Sequence, residues 1–347
     1  MVSYEEISIK KIIVHILDTS MSIPVMSMDE MPTSIDINDF FAHHIARILD
    51  DDGMKSCVFE EEFNVFYGHL KEYQNQSIDF VAFSKQIAGQ LFAIMSSNIA
   101  IPSADLAIVS YRYRSMDYLA LLKLNYQSTF IHFTDYESDV NINTIITHRT
   151  TLPNYGQRIS ECALINLDDL SVDLLDKSYD INGEKKYYLT SLFLKCHTKP
   201  SSKEKLQAVK AATNKVAKKY YDQDPEMKAQ ITETLYKSLD EEGTLDLESF
   251  VSEAFLTNEF TSDLSVQEEA KEIFYETLEK KGITEPKISM TEKTISRSFE
   301  KQRIKTDEGI EIKIPMEFYN DSSKLEFITE QDGTISILLK GIQKIIS

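Results

Sequence analysis

Residues 106–126 read LAIVSYRYRSMDYLALLKLNY. Two apolar and aromatic runs, Leu106–Arg114 and Tyr118–Tyr126, flank a short Ser115-Met116-Asp117 connection. Runs this continuous in apolar side chains suit strands covered on both faces. The short polar connection between them predicts an antiparallel hairpin. Outward from it, the β-branched segment Ile7–Leu17 predicts an opening strand. CALINL at Cys162–Leu167 and YYLTSLFLK at Tyr187–Lys195 predict a third and a fourth strand candidate for the sheet. Helical spacing of Ile37, Phe40, Phe41, Ile45 and Ile48 predicts a helix over 36–49. Phe80, Phe83, Ile87, Leu91, Ile94 and Met95 predict another over 77–99. Residues 1–198 therefore read as one α+β domain built on an antiparallel sheet.

The texture changes at Pro200-Ser201-Ser202, where Ser201 and Glu204 form a capping-box pattern. From there to about residue 281 the chain reads as amphipathic helices such as ITETLYKSL and EEAKEIFYETLEK. The short strands EIKIP, KLEFITE and TISILLK follow, and Asp332-Gly333 is a tight-turn signal between the last two. Residues 199–347 thus read as a mainly helical domain ending in a small β-meander. The fold class expected is α+β.

Lys and Arg number 37 against 56 Asp and Glu, a net charge of −19 in 347 residues. A chain so acidic repels phosphate on average, so contact with nucleic acid requires a local basic surface. Ten Gly and eight Pro are few for this length, which disfavours phosphate-binding glycine loops and multi-turn β-architectures. Cys57, Cys162 and Cys196 are odd in number and widely spaced, as in a reducing cytoplasm. The opening MVSYEEISIKKIIVHIL has neither the charge order of a secretion signal nor the length of a membrane span. A soluble intracellular protein is expected.

Motifs for catalysis are absent from the sequence: no P-loop, dinucleotide fingerprint, nucleophile elbow or C-x-x-C pair. His43 and His44 are adjacent and point about 100° apart on a helix, so they cannot grip one metal together. Asp168, Asp169, Asp173 and Asp176 bunch after one strand and alternate with leucines, the pattern of a solvated turn or short helix; a two-metal nuclease is the competing reading. No cofactor and no metal are expected. The strongest charge feature is Lys195–Lys219, with eight lysines against Glu204, a net of +7 in 25 residues. On a helix from 202 to 221, Leu206, Val209, Val216 and Tyr220 fall on one arc and the lysines on the remaining circumference. Lys203, Lys205, Lys210, Lys215, Lys218 and Lys219 are the candidate polyanion contacts, against a merely solvated face. Arg112 and Arg114 are further candidates: on a strand they share one side, with Tyr111 and Tyr113 on the other. A smaller basic stretch runs from Lys287 to Lys305, net +4.

IDFVAFSKQIAGQL followed by SYRYRSMDYLALLKLNY resembles the bacterial nucleoid-associated protein family of the NdpA type. Asp79, Phe80, Ala82, Phe83 and Ser84 match its D-F-x-A-F-S helix, and Tyr111, Arg112, Tyr113, Tyr118 and Leu119 its Y-R-Y-x-x-x-x-Y-L strand pair. ISECALINLDDL, YYLTSLFLK and the opening I-x-x-I-I-V-H with His15 look like further family blocks. The resemblance implies a non-catalytic cytoplasmic protein of the nucleoid, binding DNA directly or through a chromosome-bound protein partner. With 15 acids against six bases in residues 1–100, an acidic, DNA-mimic-like module that captures a basic protein is an alternative. A phage-defence effector or metal-dependent nuclease on the same scaffold is another. The many aromatic residues suit a homodimer.

Overall fold

The computed structural model describes residues 2–135, 142–222, 224–240, 242–257, 260–299, 301–305, 308–315, 318, 321, 323–330, 333–342 and 344. Asp332, half of the expected tight turn, lies outside them. The chain divides into two compact units, 1–199 and 200–347.

The first unit runs β1 (Ser8–Leu17), α1 (Ile35–Leu49), β2 (Lys55–Phe59), α2 (Val65–Gln74), α3 (Phe80–Ser96), β3 (Ala104–Tyr113) and β4 (Met116–Asn125). There follow β5 (Gln127–Asp135), β6 (Ile142–Thr151), β7 (Cys162–Asn166), β8 (Val172–Leu175), β9 (Ser178–Ile181), β10 (Glu184–Tyr187) and β11 (Cys196–Thr198). Seven strands form one antiparallel sheet in the order β1-β3-β4-β7-β8-β2-β11. Its two faces are separate cores, as the period of two requires. Ile13, Leu106, Ile108, Leu119, Leu121 and Ile165 join Phe83, Ile87 and Leu91 of α3. Ile12, Ala107, Val109, Tyr111, Ala120 and Leu122 join Phe41, Ile45 and Ile48 of α1. Both faces are apolar because both are covered, which is why β3 and β4 read as unbroken runs.

Two features depart from expectation. The segment Tyr187–Lys195 is not a strand: Leu189–Leu194 forms a π-helical turn ending at Lys195 in the left-handed region (φ 47°). The physical reason is Asp176, whose carboxylate accepts from the Thr190 N–H and hydroxyl, both at 2.8 Å, and so satisfies the helix start. Leu189, Phe193 and Leu194 then turn into the core at helical spacing. The hairpin between β3 and β4 turns at Arg114 (φ 48°) and Ser115 (φ 67°). Two successive positive φ values match the right-handed twist of the flanking strands, and they end β3 at Tyr113.

The second unit contains α4 (Ser202–Tyr221), α5 (Pro225–Lys237), β12 (Thr244–Asp246), α6 (Leu247–Phe255), α7 (Leu264–Glu279), β13 (Lys287–Ser289) and α8 (Glu292–Phe299). It closes with β14 (Lys301–Lys305), β15 (Glu311–Pro315), β16 (Leu325–Thr329) and β17 (Ile335–Leu339). Its helices enclose Leu206, Val209, Val216, Leu235, Phe250, Phe255, Phe274 and Leu278. The terminal strands pair as two hairpins, β14–β15 and β16–β17. No helix among the described residues is long and apolar enough to cross a membrane.

Candidate nucleic-acid interface

Helix α4 begins where the capping box places it. Ser201 Oγ accepts from the Glu204 N–H, and Glu204 accepts from the Ser201 N–H at 3.0 Å. Leu206, Val209, Ala212, Val216 and Ala217 are buried against the rest of the unit. Their burial leaves one outward stripe of exposed residues at steps of four, four, three and four: Lys203, Gln207, Ala211, Asn214 and Lys218, with Lys215 and Lys219 beside it. No acid interrupts the stripe. From Lys203 to Lys218 it spans about 22 Å at the rise of an α-helix.

The six lysines are not equivalent. Lys205 is held in, its side chain 17% exposed and its ammonium 3.4 Å from Glu285. Lys219 donates to Glu269 at 2.6 Å, and that hydrogen bond raises its pKa; Glu269 also accepts from the Tyr220 hydroxyl at 2.6 Å. Lys210 is half-buried, and burial lowers its pKa. Lys215 reaches the Thr277 hydroxyl at 3.5 Å. Lys203, Lys215 and Lys218 have no described carboxylate within 4.0 Å. The basic circumference read from the sequence therefore reduces to these three cations, because carboxylates of α7 and of the loop after it hold Lys219 and Lys205.

Arg112 and Arg114 belong to the first unit. Arg112 faces Asp117 across the hairpin and grips it at 2.9 and 3.4 Å. Lys10 binds the same carboxylate at 2.6 Å, and these contacts hold the Asp117 pKa below the usual range. Arg114 sits in the turn, its guanidinium 5.0 Å from the Tyr113 ring centroid. The expectation that both arginines share one strand face fails because the turn takes Arg114 off the strand. Tyr111 and Tyr113 are buried, so neither ring is open to stack on a base.

The carboxylates after β7 serve the fold. Asp168 and Asp169 lie in the tight β7–β8 turn, Asp173 accepts from the Ser56 hydroxyl at 2.6 Å, and Asp176 caps the π-helical turn. Among the described residues no group of three or more His, Cys, Asp or Glu is placed to hold a metal. His15 is fully buried: its Nδ1 accepts from the Ser27 N–H at 3.1 Å, so Nε2 carries the proton and donates to Ser84 Oγ at 3.0 Å. Ser84 in turn donates to the Val81 carbonyl at 2.8 Å. The direction is opposite to that of a histidine activating a serine, and the pair anchors the 18–31 loop and α3 to β1.

A buried polar network went unseen in the sequence. Glu161, wholly enclosed, accepts from Tyr188 (2.7 Å), Tyr179 (2.9 Å) and Asn125, and faces Lys123 at 3.3 Å. Burial lowers the Lys123 pKa and raises those of both tyrosines. The signals were a lysine inside the apolar run YLALLKLNY and a glutamate directly before CALINL.

Comparison with known families completes the picture. No curated protein matches the chain. A family model described as nucleoid-associated protein YejK matches residues 13–346, which takes in the D-F-x-A-F-S helix, the Y-R-Y hairpin and all but the last residue of the second unit. The chain therefore belongs to the nucleoid-associated protein YejK family.

Proposed function

We propose that this protein works in the cytoplasm at the nucleoid by binding and without catalysis, meeting DNA through the outward stripe of α4. The observation that carries this reading is the placement of Lys203, Lys215 and Lys218. In a chain of −19, these cations sit on the exposed side of α4 with no described carboxylate partner, and the one acid among them, Glu204, is turned back into the Ser201 capping box. Lys210 flanks that face, while Lys205 and Lys219, held by Glu285 and Glu269, add little to its potential. Arg112 and Arg114 contribute to a second, weaker cationic spot at the β3–β4 turn.

The test is a fluorescence-anisotropy titration of the full chain with a duplex of about 30 base pairs across a salt series. Micromolar binding that weakens with salt, and is abolished by Lys203→Glu/Lys215→Glu/Lys218→Glu, is the expected result. Binding unchanged in that variant would overturn the direct-contact reading. A second reading, association through a basic chromosome-bound protein, is favoured by the 15 acids against six bases in residues 1–100. It calls for capture of a basic DNA-bound protein that free DNA competes away.

A further inference from the structure

Among the described residues, strands β5 and β6 form a ribbon of their own, paired with each other alone from Gln127↔Thr151 to Asp135↔Ile142. A two-stranded ribbon alone is marginal in water unless something covers a face. Here both faces carry bare apolar side chains. Phe130 and Ile145 stand on one face at 76% and 72% exposure; Ile131, Phe133 and Ile146 on the other at 39%, 49% and 40%.

We infer that this ribbon is the self-association arm of the protein and that its occupant is a second copy of the chain. The two ribbons cross at a two-fold axis through the Phe130–Ile145 face, and the opposite face lies on the partner copy. Charge selects the occupant. Residues 127–151 hold three acids close together in sequence, Asp135, Glu137 and Asp139, and one base, Arg149, but the stretches 127–134 and 143–148 that carry the five apolar side chains hold no Asp, Glu, Lys or Arg. Beside those side chains a nucleic acid finds no row of cations, and a basic protein finds no row of acids. Two copies repel through most of their surface and approach best through a neutral segment. A two-fold contact moreover requires the same patch on both sides, which a ribbon can supply to itself.

Area agrees. At the roughly 150–250 Å² that large apolar side chains bury, the five exposed fractions leave roughly 500 Å² on each ribbon. Covering one face with the other ribbon and the second face with the partner's surface buries roughly 1,500 Å² in total, the size of a standard stable interface.

The experiment is sedimentation velocity with light scattering on the full chain at about 50 μM. The expected mass is twice 39.8 kDa. Phe130→Lys/Ile145→Lys should run at 39.8 kDa with its circular dichroism unchanged. A second variant guards against misfolding: residues 128–150 replaced by an Asn-Gly turn, since Gln127 and Thr151 already face each other at the base. It should also be monomeric. A monomeric wild type, or a dimer that persists in the ribbonless variant, would overturn the inference.

Discussion

Replacing Asp176 by Asn should tilt the stability of the first unit with pH. Burial pushes the Asp176 carboxyl up to about 6 from its ordinary 3.8, against the three hydrogen bonds it accepts from Thr190 and Lys177. The folded state thus holds this proton more tightly than the unfolded chain. Its contribution grows less favourable as pH rises from 3.8 to 6 and recovers as pH falls back. Two pKa units correspond to about 3 kcal/mol. His15 has the opposite sign: burial draws its pKa down from 6.5 to about 4. The unfolded chain takes up this proton first, so stability is lost as pH falls from 6.5 to 4, again by about 3 kcal/mol at most. Across that window the two nearly cancel in the wild type. Asp176→Asn removes one of them and should leave a loss of about 2 kcal/mol, relative to wild type, between pH 6.5 and 4.5. His15→Gln should give the reverse tilt. Hydrogen exchange of the β3 and β4 amides, which open only when the sheet does, reads both. If Asp176→Asn has the pH slope of the wild type, the carboxyl is not desolvated as described and the reasoning fails.

Three further outcomes are expected. Glu161→Ala removes the counter-charge of the buried Lys123 ammonium and the acceptor of the buried Tyr188 and half-buried Tyr179 hydroxyls, and should cost about 3–5 kcal/mol by urea unfolding, against about 1–2 for Tyr188→Phe. Gly243 has φ +78°, and a Cβ there would stand 2.5 Å from the Met290 carbonyl oxygen. Gly243→Ala should therefore lower the stability of the second unit by about 2 kcal/mol or more, seen as a lower melting temperature. If α4 engages DNA as proposed, Lys203→Ala/Lys215→Ala/Lys218→Ala should flatten the log-log salt slope by about 2.7. Lys205→Ala/Lys219→Ala, whose ammoniums are already neutralised by Glu285 and Glu269, should change it by less than about 1.

The elements legible in the sequence were those in which one physical demand dominates. Two covered faces made β3 and β4 unmistakable, and the Ser201–Glu204 box marked the start of α4 to the residue. The π-helical turn was misread as a strand because its apolar residues also suit a sheet. What decides it is Asp176, 14 residues upstream of the Thr190 it caps. The β5–β6 ribbon was passed over because its Thr, Ile and Phe alternate without a polar face. The candidate site was half legible: composition located the lysines, but only the fold shows that Glu285 and Glu269 take two of them. Carboxylates that arrive from another helix leave no mark near 203–219.

The place of β2 in the sheet has a consequence for how the chain is made. This strand lies between β8 and β11, and Lys55 pairs with Leu174, about 120 residues later. At synthesis rates of about 5–20 residues per second, β2 waits roughly 6–24 s for its first neighbour while β1, β3 and β4 are already free to join. During that interval Cys57 and Phe59 and both backbone edges of β2 stand open, with α2 and α3 their available cover. Nascent chains halted between residues 126 and 171 should accordingly bind holdase chaperones, and chains carried past Thr198 should be released.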